Sequence, residues 1–95
     1  LHPAVLRQVG QIITAAHAEG KWVGLCSELA GRPEAIPLLL GLGLDEFSMA
    51  PTAIPAAKTL LAQWSLAAAR TLAQQALSLP SAQAVADLVR SARPA

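Results

Sequence analysis

Hydrophobic residues in the first part of the chain recur at intervals of three and four, the spacing of one helical face. They are Val5, Leu6, Val9, Ile12, Ile13 and Ala16. The polar residues of the same segment are predicted to face solvent: Arg7, Gln8, Gln11, His17 and Glu19. Pro3 suits the first turn of a helix, and Gly20 supplies a C-terminal stop. The pattern therefore predicts a helix over residues 3–19.

Two short apolar segments without helical spacing follow. Residues 21–25 (KWVGL) predict a strand that is buried in a parallel sheet, because such strands are continuously apolar. Residues 44–49 (LDEFSM) predict a second strand. Between them, Pro33 begins a predicted helix that closes at Gly41 and Gly43. Pro37 disturbs the bond back to Pro33, which the first turn tolerates best. Two strands joined by a helix predict a right-handed, parallel βαβ unit.

Three further helices are predicted from Pro and Ser residues that interrupt the remaining apolar pattern. The first covers about 53–63, near Pro51 and Pro55. Ser65 is a suitable N-cap for a helix over 66–78, and the last helix covers about 82–92, with a frayed end at 93–95. The chain is predicted to be a single fragment, with βα units in 1–63 and C-terminal helices in 64–95. Two strands form only a marginal sheet. The order of the predicted elements (helix, strand, helix, strand and three helices) therefore predicts a slice of a larger parallel α/β protein.

Composition limits the classes of partner. Of the 95 residues, 54% are hydrophobic and 14% are charged, against roughly a quarter charged in average proteins. We therefore expect another protein surface to cover part of this one. The net charge of +1 offers no electrostatic basis for binding nucleic acid or an anionic membrane. The longest uncharged apolar run, residues 35–44, is too short to span a bilayer.

The ends of the chain and its cysteine content suggest its context. The chain begins at Leu1 without an initiating Met or a signal peptide, so we expect it to be cut from a longer protein. A single cysteine permits no internal disulfide. This fits a reducing, cytoplasmic compartment.

Cys26 is the candidate for chemistry, because it lies between a predicted strand and the helix that Pro33 begins. A residue in this place lies at the carboxyl edge of the sheet, where ligands of parallel α/β folds bind. A lone cysteine at a strand end is most often a small buried hydrophobe. Neither His2 nor His17 has metal-ligand spacing to Cys26. A nucleophilic cysteine would need a base, and the neighbouring sequence offers none. A proton donor is the more natural role, since thiols with a pKa near 8.5 are mostly protonated at pH 7.

Residues near Cys26 leave alternatives open. Glu28 is either a hydrogen-bonding partner in the loop or a solvated acid. Arg32 is either a surface residue or an anion contact. Packing is the expected role of four others: Trp22, Trp64, Ser48 and Met49, of which the last two end the second strand at the same edge as Cys26.

Two segments resemble signatures of a known family. Residues 20–31 (GKWVGLCSELAG) resemble the signature near the C-terminus of Enzyme I of the sugar phosphotransferase system, the phosphoenolpyruvate–protein phosphotransferase. Residues 40–49 (LGLGLDEFSM) resemble its second signature, and residues 73–77 (AQQAL) resemble its tail. The resemblance runs without gaps from Leu1 to about Leu79. Pyruvate phosphate dikinase and phosphoenolpyruvate synthase share a looser version.

The resemblance implies a C-terminal slice of a (β/α)8 barrel that binds phosphoenolpyruvate and Mg²⁺. It implies that the phosphoryl group passes to a histidine on another domain and then to the carrier HPr, and that Cys26 protonates the pyruvate enolate. A homodimer is also implied. A complete barrel takes about 250 residues, so the metal ligands, phosphate-binding arginines and phosphohistidine are expected in earlier segments. We therefore expect the 95-residue chain to be inactive alone, with an apolar sheet face toward the barrel interior.

Two positions depart from the family pattern. Ser27 stands where the family usually has Gly, and Ser is less suitable than Gly if the backbone φ is positive. Arg32 stands where the family usually has Asp, and Arg cannot cap the next helix. These departures indicate a divergent or fused member, such as a multiphosphoryl transfer protein. The alternatives are a non-catalytic dimerisation module and a fragment of a dikinase-like or synthase-like enzyme.

Overall fold

A two-stranded parallel sheet and five α-helices make up the part of the chain, residues 1–92, that the computed structural model describes. The predicted frayed end at residues 93–95 lies outside these residues. The elements in chain order are α1 (Pro3–Ala18), β1 (Gly24–Cys26), α2 (Ile36–Leu42), β2 (Glu46–Ser48), α3 (Ile54–Gln63), α4 (Leu66–Leu77) and α5 (Ala82–Ser91). Short 3-10 helices cover Glu28–Gly31 and Pro51–Ala53.

The first helix agrees with its prediction at both ends. Gly20 has a φ of +71° just beyond the helix, which glycine adopts without strain. The five polar residues expected to face solvent are exposed. The apolar face is only partly buried: Leu6 and Ile13 are fully buried, whereas Val5 is 43% and Ile12 61% exposed. The helices that cover α1 therefore contact one side of its predicted apolar stripe.

The two strands are adjacent and parallel, as predicted. The register pairs Gly24 with Glu46, Leu25 with Phe47 and Cys26 with Ser48. Both strands are shorter than expected, and the prediction that the first strand is buried is wrong. Gly24 and Cys26 are exposed, because only the alternate side chains face the helices.

The second helix begins at Ile36 rather than at Pro33, and residues 33–35 form turns. The reason is that Pro37 has no N–H to donate to the Pro33 carbonyl. Pro37 then falls in the first helical turn, where its missing N–H breaks no helical bond. The helix ends at Gly43, whose φ is +97°. Gly41 does not close the helix as predicted but lies inside it, facing α4.

Helix α2 lies at the centre of the core. Its residues Leu38 and Leu39 are fully buried and belong to two apolar clusters. One contains Leu6, Leu38, Leu72, Ala76 and Val85, and the other contains Ile13, Ala35, Leu39 and Leu44. Helix α4 packs closely on α2: a Cβ added at Gly41 would overlap the carbonyl oxygen of Ala69 and lie 2.9 Å from the Cβ of Ala73.

The last three helices match their predicted bounds within two residues. The hydroxyl of Ser65 accepts a hydrogen bond from the Ala68 N–H at 3.1 Å, which confirms the predicted N-cap. The division of the chain after residue 63 stays a prediction. Two parallel strands among five helices are compatible with an α/β fragment, and the complete barrel also stays a prediction. None of the helices within residues 1–92 is long and apolar enough to cross a membrane.

Candidate functional site

The Cys26 thiol is free and exposed at the carboxyl end of β1. Ser48, its register partner, ends β2. Since neighbouring parallel strands lie about 4.8 Å apart, the two side chains share one edge of the sheet, as predicted. The exposure of Cys26 argues against the alternative that it is a small buried hydrophobe.

A cavity of about 430 Å³ opens at this edge. Its walls come from the ends of both strands and from the two loops that follow them. The lining residues are Cys26, Ser27, Glu28, Gly31, Arg32, Pro33, Ser48, Met49, Ala50 and Ala53. A larger concavity of about 540 Å³ lies among α1, α2 and α4, away from Cys26. Its one charged side chain, Arg7, donates to the Leu77 carbonyl at 2.9 Å, so the Cys26 cavity is the better candidate site.

Neither departure from the family pattern strains the loop after Cys26. Ser27 has a φ of −168°, which is extended backbone that any residue adopts. The residue that precedes α2 is Ala35 rather than Arg32, so position 32 supplies no side-chain cap to that helix. Instead, the Arg32 carbonyl accepts hydrogen bonds from the N–H groups of Ala35 and Ile36.

Arg32 reaches the cavity while paired to Glu34. Its Nε and Nη2 donate to the Glu34 carboxylate at 3.1 and 2.8 Å. A backbone hydrogen bond at Glu34 itself, and then this guanidinium, hold the pKa of the Glu34 carboxyl below its usual range. Glu28 is exposed on the cavity wall. The cavity thus contains one acidic and one basic side chain beside the thiol.

The solvent-facing side of the sheet is polar, not apolar as expected. Gly24, Cys26, Glu46 and Ser48 share this face through the register, and the Ser48 hydroxyl donates to the Glu46 carboxylate at 3.3 Å. Trp22 is 69% exposed, so its predicted packing role is wrong. The corresponding prediction for Trp64 is confirmed, because it packs against the cluster around Leu38. The apolar residues Val23, Leu25 and Phe47 face the core instead.

Sequence reasoning missed Asp45, which was assigned only to the second strand. One carboxylate oxygen, Oδ2, lies 2.7 Å from Nε2 of His17 and 2.8 Å from the backbone nitrogen of Val23. The hydrogen bond to His17 and then that to Val23 hold the pKa of Asp45 below its usual range. A carboxylate just before a strand was the available signal, but its partners are 28 and 22 residues away.

A metal site is not formed by this part of the chain. Within residues 1–92, His, Cys, Asp and Glu side chains form no group of three that could hold a metal ion. The residues present therefore do not fit the Mg²⁺ that the resemblance implies.

Comparison with known proteins agrees with the resemblance. Residues 1–66 match the family described as PEP-utilising enzyme, PEP-binding domain. The chain is 50% identical over 88 residues to the phosphoenolpyruvate-protein phosphotransferase of Staphylococcus carnosus, which is 93% of this chain and 15% of that protein. It is 51% identical over 92 residues to a multiphosphoryl transfer protein of Escherichia coli, 97% of this chain and 11% of that protein.

A third relative shows the same coverage. The phosphoenolpyruvate-protein phosphotransferase of Buchnera aphidicola is 45% identical over 91 residues, 96% of this chain and 16% of that protein. The chain thus spans between 11% and 16% of the length of these relatives. The family match covers more than half of the 95 residues, and the chain therefore belongs to the family of PEP-utilising enzymes.

Proposed function

We propose that this chain is the C-terminal portion of a phosphoenolpyruvate–protein phosphotransferase in which Cys26 protonates the enolate of pyruvate. One observation carries the proposal: the single cysteine is exposed at the carboxyl edge of the sheet, in a cavity of about 430 Å³. Identity of about half over nearly the whole chain to proteins named for this activity supports the choice of reaction.

The proposed chemistry begins when the phosphoryl group of phosphoenolpyruvate passes to a histidine of the parent enzyme, and from there to HPr. The enolate that is left needs a proton at its methylene carbon. The S–H bond of Cys26 breaks as the new C–H bond forms, which yields pyruvate and a thiolate that regains its proton from water. A positioned acid typically accelerates such a step by about 10²–10⁴-fold.

The remaining parts of the catalytic machinery are assigned to other segments of the parent. Residues 1–92 offer no cluster for Mg²⁺. We therefore place the Mg²⁺ ligands, together with the phosphohistidine, in the other segments of the parent. Cavities of about 300–1,000 Å³ are usual for small ligands, and the volume beside Cys26 falls in this range. The cytoplasmic location and the homodimer stay predictions.

Replacing Cys26 with Ala in the full-length parent tests the proposal. We expect phosphoenolpyruvate to bind normally while pyruvate formation falls by about 100-fold or more. The matched control is Ser78→Ala, because Ser78 is an exposed small residue whose hydroxyl bonds the Gln75 carbonyl of its own helix. Near-normal pyruvate formation by Cys26→Ala would show that this thiol is not the proton donor.

The 95-residue chain is expected to have no activity by itself. Incubation with phosphoenolpyruvate, Mg²⁺ and HPr should release no pyruvate above the level without protein. Turnover that copurifies with the chain would contradict the assignment of the other catalytic groups to other segments.

A further inference from the structure

Asp45 joins three elements through its side chain and backbone. Its Oδ2 accepts a hydrogen bond from the Val23 N–H at 2.8 Å and lies 2.7 Å from Nε2 of His17, near the end of α1. An ionised carboxylate only accepts hydrogen bonds, so His17 presents Nε2 with its proton. In return, the Val23 carbonyl accepts from the N–H groups of Asp45 and Glu46, at 3.0 and 3.2 Å. We call this set of contacts the Asp45 bridge.

The hydrogen bonds of the Asp45 bridge lie at the beginning of the sheet and form in the observed register. The two strands share three register pairs, and a two-stranded sheet is only marginally stable. A slip of one residue would turn every side chain of β1 to the other face. Cys26 would then point toward the core and Leu25 toward the cavity. Because both backbone polar groups of Val23 bond to residues 45–46, such a slip breaks all these bonds.

We propose that Asp45, supported by His17, is a positioning residue for proton transfer from Cys26. The bridge fixes Val23, three residues before Cys26, and thereby fixes where the thiol stands beside Ser48. Asp45 does not line the cavity, so it acts through the strand and not on the substrate. The inference rests on the proposed function for its catalytic part, while the positioning of the thiol is testable without it.

Four versions of the full-length parent test the catalytic part: wild type, Cys26→Ala, Asp45→Ala and the double variant. Displacement of a reacting group by about 1 Å costs up to about 100-fold in rate. We expect Asp45→Ala to lower kcat for pyruvate about 10-fold to 100-fold, with KM for phosphoenolpyruvate changed less than about twofold. In the Cys26→Ala background the same substitution should have no further effect, since residues that act through one group are not additive.

Two further variants separate positioning from folding. Asp45→Asn keeps an oxygen that accepts from the Val23 N–H, so we expect it to recover part of the lost kcat. Asp87→Asn is the matched control, because Asp87 is an exposed carboxylate on α5 with its own partners, Gln83 and Arg90. It should leave kcat unchanged. An equal loss from Asp45→Ala with and without Cys26, or a loss that matches the unfolded fraction measured by circular dichroism, would overturn the proposal.

The reactivity of the Cys26 thiol provides a test of its position that does not depend on catalysis. This measurement uses the 95-residue chain. Because Cys26 is its only cysteine, the rate of alkylation by iodoacetamide reports on this site alone. Asp45→Ala and Asp45→Asn should change the rate in folded protein, and Asp87→Asn should not. An unchanged rate in both Asp45 variants would overturn the positioning role. If the alkylation rate changes but Cys26→Ala still makes pyruvate normally, the positioning stands and the proposed proton donor is wrong.

Discussion

Replacing Gly41 with Ala tests the close packing of α2 on α4. A Cβ at this position would overlap the Ala69 carbonyl oxygen and lie 2.9 Å from the Cβ of Ala73. The first of these atoms belongs to the backbone of α4, so no side-chain rotation relieves the overlap. The two helices must move apart, and both apolar clusters that α2 connects would lose contacts.

The expected magnitude combines two opposing effects. Overpacking a core typically costs about 1–3 kcal/mol, and we take the upper value, about 3 kcal/mol, for an overlap with the backbone. Ala gains about 1 kcal/mol over Gly in helix propensity, which leaves a net loss of about 2 kcal/mol. For a chain of this size each kcal/mol shifts Tm by about 4–8 °C. We therefore expect Gly41→Ala to lower Tm by about 8–16 °C.

Gly10→Ala is the matched control, because Gly10 is also inside a helix. A Cβ there would lie 3.4 Å from Cδ2 of Leu42, an ordinary contact. The gain in helix propensity should then raise Tm by about 4–8 °C. Thermal unfolding followed by far-UV circular dichroism measures both variants. A Tm for Gly41→Ala equal to or above that of wild type would refute the close contact between α2 and α4.

Three further predictions concern other parts of the molecule. The pKa of Asp45 is lowered in the folded chain. The ionised Asp45 carboxylate therefore stabilises the fold above the unfolded-state pKa of about 4, and this stabilisation is lost as pH falls through the folded-state pKa. Denaturant midpoints of wild type and Asp45→Asn should therefore differ at neutral pH and converge in acid, and a constant difference would contradict this. Ser65→Ala removes the N-cap of α4 and should cost about 1 kcal/mol in urea unfolding; an unchanged midpoint would show that the cap is dispensable. The described residues form a sheet of two strands, and pairing at its outer edges should make the isolated chain a dimer in sedimentation equilibrium, whereas a stable monomer at micromolar concentration would count against self-association.

The helices could be predicted because their signals are local. Periodicity located α1, and Gly20 and Ser65 marked ends that the structure retains. The start of α2 was placed three residues early, at Pro33. The sequence offers two prolines there, Pro33 and Pro37. Because Pro37 has no N–H to donate to the Pro33 carbonyl, the ladder of helical bonds does not extend back to Pro33, and the helix begins at Ile36.

The candidate site was predicted in position but not in detail. The shared edge of Cys26 and Ser48 follows from parallel topology, which a βαβ pattern specifies. The exposure of β1 could not be predicted, because burial depends on which surfaces lie against each sheet face. Asp45 was missed for a related reason: its partners are His17 and Val23, and no local pattern links such distant positions.

The stereochemistry of proton transfer tests the role of Cys26 most directly. Phosphoenolpyruvate that carries one deuterium in a defined geometry at its methylene carbon, reacted in tritiated water, gives pyruvate with a chiral methyl group that immediate reduction to lactate preserves. If the Cys26 thiol delivers the proton to one face of the enolate, the full-length wild-type enzyme gives an excess of one configuration and Cys26→Ala gives a nearly racemic product. The same configuration, in the same excess, from Cys26→Ala would contradict the account.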